Sequence, residues 1–214
     1  MQLVYIKLVF ILFLLARIQV VADSISDREY KLKAAFLYNF MMFIDWPAEK
    51  MPPQDQPIII GIMGKNPFAN AFEPVKNKQV KERNISVRYF DGLEELKRAG
   101  PEKMNRQLDE IRKCHLLFIC SSEKPVLREI ISFVNGYNIL TVGDMPGFLE
   151  SGGGVINFVV EEDKIRFEIN AIAALQSKLE IRSQLLRLAK KVIEEKQSQY
   201  DKKGLYESIA KYDN

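Results

Sequence analysis

The chain has 214 residues, with 31 Lys and Arg against 28 Asp and Glu, 47% hydrophobic residues, one histidine and two cysteines. A single domain of this size buries about 70% of the surface its unfolded chain exposes, so it needs no metal or disulfide to hold it together. The near-balance of charge excludes the basic face that nucleic acid requires and leaves no polybasic patch for a membrane surface.

The first residues read as an export leader. Lys7 is a short positive n-region, Leu8 to Leu15 is an uninterrupted apolar run, and Val20-Val21-Ala22 offers the small residues of a cleavage site. The alternative is a retained membrane anchor, but the apolar run falls well short of the ~20 residues a spanning helix needs. Arg17 also interrupts its continuation. Cleavage after Ala22 leaves 192 residues, with 29 basic side chains against 28 acidic ones because Lys7 and Arg17 depart with the leader. The predicted organisation is therefore a leader over 1–22, a domain over 23–192 and a charged helical extension or tail over 193–214.

Leu32, Phe36, Phe40 and Phe43 recur at helical spacing, with Ser26 as N-cap and Pro47 at the end. Pro57 to Met63 is a wholly apolar strand of the kind buried on both faces of a parallel sheet. Asn66-Pro67 predicts a helix carrying Phe68, Phe72 and Val75. A strand follows over Ile85 to Phe90, then a polar connection from Gly92 to Gly100 and a helix from Asn105 to Lys113. Cys114 to Cys120 reads as a strand, and Ser121 and Ser122 as the cap of a helix that turns Val126, Ile130, Ile131 and Val134 inward. After a strand over Asn138 to Val142 the pattern changes. Gly152 to Val160 and Lys164 to Ile169 form a hairpin turned by Glu161, Glu162 and Asp163. Asn170 caps a short helix, and Leu179 to Ile181 is extended. Ser183 caps a last helix with Leu185, Leu186, Leu188 and Val192 as its stripe. Strand and helix alternation followed by a hairpin predicts one three-layer, Rossmann-like α/β domain, with a mainly parallel sheet and an antiparallel hairpin addition.

Several fragments imitate chemistry. Gly61 to Asn66 follows a strand as a phosphate loop would, but it has two residues between its glycines instead of four, and Asn after Lys65. Ser121-Ser-Glu-Lys124 matches Ser-x-x-Lys without the companion elements that make it a nucleophile. His115 is a lone histidine beside Cys114, too few ligands for a metal; it reads as a sheet-edge histidine, with a pH switch as the sharper alternative. No nucleophile, base and orienting group assemble, so the sequence predicts no enzyme, no cofactor and no metal. Cys114 and Cys120 bracket one strand about 20 Å long, whereas a disulfide needs Cα atoms within ~7 Å. Two buried free thiols follow, and no intrachain bridge.

Two features invite a binding reading. Gly152, Gly153 and Gly154 permit close backbone approach, with a flexible hairpin entry as the plain alternative. Arg166, Asn170 and Arg182 are placed near them, where cations and a helix N-terminus could meet an anionic or zwitterionic small molecule. Met41, Met42 and Trp46 lie on a helix end that is apolar nearly all round. One stripe enters the core and the rest suits a partner, unless the domain covers the helix on both sides.

The order of local blocks resembles the YfiR family. Tyr30 to Phe40 with Trp46-Pro47 is similar to its opening helix. Cys114-His-Leu-Leu-Phe-Ile, Ile139 to Asp144, Gly153 to Phe158, Arg166 to Asn170 and Ser183 to Ala189 follow in the family's order, together spanning about 29 to 192. The resemblance implies a periplasmic protein that binds the sensor portion of an inner-membrane diguanylate cyclase and holds it inactive. It implies low cyclic di-GMP, restrained biofilm formation, and dimers that answer envelope or redox conditions. Other relatives serve different membrane receptors such as histidine kinases. Disulfides support well-known members; this chain departs there, since Cys114 has no second cysteine in reach. Intact mass of the protein recovered from the periplasm should begin at Asp23; retention of Met1 in a membrane fraction would refute export by cleavage.

Overall fold

A computed structural model describes residues 27–194. The leader over 1–22 and the predicted tail beyond 194 lie outside the described residues. Helix α1 (residues 27–43) is followed by β1 (Ile44–Asp45), β2 (Ile58–Met63), β3 (Gln79–Val80) and β4 (Arg83–Phe90). Then come α2 (Leu93–Ala99), α3 (Pro101–Arg112), β5 (Leu116–Ile119), α4 (Leu127–Val134) and β6 (Leu140–Gly143). The chain closes with β7 (Ile156–Glu161), β8 (Lys164–Asn170), α5 (Ala171–Gln176), β9 (Glu180–Ile181), α6 (Ser183–Leu188) and β10 (Lys191–Ile193).

Eight strands form one sheet in the order β10-β8-β7-β6-β5-β2-β4-β3, parallel from β4 through β7. Strand β8 runs antiparallel to β7, so the predicted α/β class with a hairpin addition is what the chain adopts. All residues of β2, β5 and β6 are buried because both faces of the central sheet are covered. Ile58, Ile60 and Ile62 join Leu116 and Phe118 under α1, α5 and α6. Ile59, Met63, Leu117 and Ile119 face the opposite layer of α2, α3 and α4. Alternation with a period of two sends successive side chains of one strand into two separate cores.

Helix α1 buries Ala34, Leu37, Phe40 and Met41, and Ile44 at the start of β1 continues the row. Phe40 stacks on Phe158 of β7 at 5.5 Å and meets Phe167 of β8 edge-on at 5.0 Å. The hairpin is therefore part of the core. Its turn places Glu162 and Asp163 at φ of 48° and 57°, the conformation of a two-residue turn that continues the strand twist.

Five expectations change. Leu32 is exposed and outside the core stripe, since α1 is apolar on several sides and the sheet selects the 34–37–41–44 row. No α-helix follows Asn66: its side chain accepts from Phe68 N at 2.9 Å, a local turn, and Pro74 sits in a 3-10 turn over Glu73–Val75. The polar connection at 92–100 is helical, because Leu93 and Leu96 suffice to anchor α2, and Gly100 at φ 97° separates it from α3. The last helix stops at Leu188, and Val192 lies in β10 beside β8, whose open edge offers unpaired backbone groups. Ser121 and Ser122 begin a 3-10 turn over Ser121–Val126, ahead of α4. Replacing Phe40 with Ala should cost about 3–5 kcal/mol, as for buried aromatic truncations in general. Urea titration with an unchanged midpoint would show that the hairpin is not held through this ring.

Candidate functional site

Doubly wound sheets bind ligands at the carboxyl ends of strands where the order reverses. Here that position lies past β2, between β4 and β5, in a cavity of about 480 Å³ bounded by Gly64, Lys65, Asp91, Gly92 and Ser122. Glu123 occupies it. The buried carboxylate accepts from Leu93 N at 2.9 Å and from the Ser122 hydroxyl at 2.9 Å, while Ser122 Oγ accepts from Lys65 N at 3.0 Å. A Cβ at Gly92 would stand 2.5 Å from Glu123 Oε1, and one at Gly64 2.7 Å away. Of the two glycines that imitate a phosphate loop, Gly64 makes room for the protein's own carboxylate, whereas Gly61 makes room for Cys114 and Leu117.

The larger opening, about 560 Å³, lies between α1 and the tip of the β7–β8 hairpin. Arg28, Leu32 and Phe36 line it at four-residue spacing on one side of α1. Val160 and Ile165, paired across the hairpin, complete an apolar floor. Lys164, Arg166, Glu29 and Asp163 stand around it. Beneath α1, Lys33 meets Asp144 at 2.7 Å and Glu29 at 2.6 Å, and the Tyr30 hydroxyl donates to Asp144 at 3.0 Å. The Lys33 and Asp144 side chains are only 4% and 6% exposed. Burial, and then the charge of Asp144, push the Tyr30 hydroxyl pKa well above its usual value. Asp144 Oδ1 is buried without a hydrogen-bond partner among the described residues.

The residues predicted as a ligand cluster are divided. Arg166 lines the groove. Asn170 adjoins the glycine segment, but its side chain is committed: Oδ1 accepts from Ala173 N at 3.0 Å and Nδ2 donates to Leu149 O at 3.0 Å. The sequence identified that cap correctly; its second bond needed the tertiary fold. Arg182 lies on the β1–β9 side, where it grips Asp45 at 2.8 and 3.0 Å. Arg182, with Lys81 on the same carboxylate, holds the Asp45 pKa down to about 2. Gly152 has φ 96°, a turn conformation that suits glycine. A Cβ at Gly153 would press Ile131 at 2.7 Å, and one at Gly154 would collide with the Phe148 carbonyl oxygen. These glycines serve close packing.

The proposed partner surface on α1 also narrows. Met41 is fully buried, and Trp46 is buried with its indole N–H donating to His115 O at 3.1 Å. Only Met42 remains open, 37% exposed. Met41 belongs to the core row because the sheet, and not a partner, covers that side of the helix. Sequence reasoning missed Arg28, Leu32, Val160 and Lys164 as groove residues, because nothing local brings the start of α1 beside a hairpin more than 120 residues later.

The sheet and its two helical layers define a doubly wound α/β domain with one opening at the switch point, walled in part by Glu123, and a second at the hairpin. The chain belongs to the YfiR/HmsC-like family, whose model matches residues 30–190. Members of that family are periplasmic regulatory proteins. No curated protein matches the chain. Among solved structures, the ABC domain in complex with L-Trp from Streptococcus pneumoniae overlaps 64% of this chain at 12% identity, with a TM-score of 0.46. A conserved domain protein from Vibrio cholerae O1 biovar El Tor overlaps 63% at 13% identity, with a TM-score of 0.42. The chain spans only 55% and 54% of those two structures' lengths.

Cys114 and Cys120 flank β5, buried and unpaired. Burial pushes both thiols up to about 12, which keeps them protonated and unreactive. His115 Nδ1 accepts from Ile59 N at 3.1 Å, so Nε2 carries the proton toward Lys50 O at 3.2 Å. Burial, and then the nearby Lys50 charge, lower its pKa from the ordinary 6.5 to about 4. A second proton would have to stand on Nδ1 against the Ile59 N–H. Between those two pH values the unfolded chain binds a proton that the folded chain refuses. Stability is therefore full above the unfolded pKa and falls, by roughly 3 kcal/mol in all, as pH drops toward the folded one. Urea midpoints at pH 7, 5.5 and 4 should show this slope, and His115→Gln should flatten it; an equal slope in the variant would exclude His115 as its source.

Proposed function

We propose that the chain is a non-enzymatic periplasmic regulator that binds the sensor portion of an inner-membrane diguanylate cyclase and holds it inactive. Cyclic di-GMP stays low and biofilm formation is restrained. The observation that carries this reading is the family match over residues 30–190, which takes in nearly all the described elements. The chemistry of the domain agrees with a binding role. Its one histidine is a neutral backbone partner, both thiols are held protonated, and Glu123 places a carboxylate in the wall of the crevice where this fold class would take a nucleotide. Among the described residues no helix is long and apolar enough to cross a membrane.

A second reading is a small-molecule sensor serving another receptor such as a histidine kinase. The groove with its apolar floor and Arg166 favours it. The two readings are compatible where a ligand prefers one of two states.

Deleting the gene should raise intracellular cyclic di-GMP, and expression with the leader intact should restore it. A version lacking residues 1–22 should fail to complement, because the sensor lies across the membrane from it. Unchanged cyclic di-GMP in the deletion strain, on surfaces and under redox stress, would defeat the cyclase reading.

A further inference from the structure

The groove between α1 and the hairpin combines a cavity, exposed apolar side chains and an excess of one charge. Leu32 is 47% and Val160 61% exposed, large apolar groups left in water on both walls of one opening. Burying them against another surface is favourable at about 25 cal/mol per Å² of apolar area. Among the described residues, Arg28, Lys164 and Arg166 form no ion pair, whereas Glu29 is taken by Lys33 and Glu161, at the end of β7, by Lys190. The lining holds three cations, Arg28, Lys164 and Arg166, against two carboxylates, Glu29 and Asp163, and the one ammonium beside Glu29, that of Lys33, is shared with Asp144. The chain as a whole is nearly balanced, so this excess belongs to the face.

The wall from Arg28 to Phe36 runs eight residues along α1, about 12 Å, which matches two turns of a helix or a short extended strand. Charge complementarity selects the sign of what lies there. Apolar side chains would rest on Leu32, Phe36, Val160 and Ile165, and carboxylates would face the three cations. The geometry points to this groove as the docking surface for an acidic amphipathic segment of the membrane partner's periplasmic domain. That statement rests on the regulatory reading above and adds to it the surface and the chemistry of the contact. It differs from the surface expected on the Met41–Trp46 end of α1, which is largely buried.

The test uses the mature chain and the double variant Lys164→Glu/Arg166→Glu, with two probes. One is the periplasmic domain of a membrane diguanylate cyclase of the same cell. The other is 1-anilinonaphthalene-8-sulfonate, an anionic aromatic dye that reports the groove's chemistry without any partner. Both substituted side chains are exposed, so the melting temperature should not move. Binding of both probes should weaken about tenfold or more, and the wild-type contact should weaken with added salt. Equal binding of the cyclase domain by wild type and variant would overturn the docking surface and leave the regulatory reading standing. If the deletion strain shows unchanged cyclic di-GMP, the regulatory reading falls, and with it the assignment to a cyclase segment. A dimer seen by sedimentation that the double variant dissolves would assign the groove to a second copy of the chain, and would overturn the acidic partner segment.

Discussion

Lys33 carries its ammonium into the interface between α1 and the sheet and meets Asp144, 111 residues later in the chain, at the end of β6. A buried pair of this kind adds little net stability compared with apolar packing, but removing one partner strands the other charge and costs several kcal/mol. The pair therefore acts on geometry. A helix as widely apolar as α1 could present more than one row to the sheet. Only one rotation brings Lys33 onto Asp144, and that rotation sends Leu37, Phe40 and Met41 inward. The same rotation turns Arg28, Leu32 and Phe36 toward the hairpin. The groove is a consequence of where one ammonium is satisfied.

The hairpin adds a second opening to the one this architecture ordinarily offers. At the carboxyl ends of β2 and β5, Glu123 accepts from Leu93 N and from Ser122, and two glycines leave it room. A carboxylate built into that crevice leaves the backbone donors around it already paired. At the other side of the sheet, β7 and β8 extend past the central strands. Their tip and the first turns of α1 bound a second opening, made by two elements far apart in sequence.

Charged contacts at the periphery hold the smaller elements to the sheet. Asp45 gathers Arg182 and Lys81, tying the two-stranded β1–β9 pair to the β3–β4 corner. Exposed pairs contribute little stability each, yet this one consumes the guanidinium that the sequence had offered as a ligand group. Asn170 is consumed likewise by capping α5 and bonding Leu149. A polar side chain near a glycine loop is available to a ligand only when the fold leaves it unpartnered.

The local order of residues determined a good part of this. Six consecutive apolar residues in β2 admit only a strand covered on both faces, and Asn170 could cap a helix with no help from distant chain. The acidic turn between β7 and β8 and the separation of Cys114 from Cys120 along one strand are equally local, because each depends on neighbours within a few residues. Tertiary structure alone decided the rest. It chose Met41 over Leu32 for the core, made a strand of Val192 and gave Arg182 to Asp45. It also set Glu123 against Gly64 of the phosphate-loop imitation. In each case the deciding partner is remote in sequence, and periodicity carries no information about which of several chemically adequate side chains a distant surface will reach.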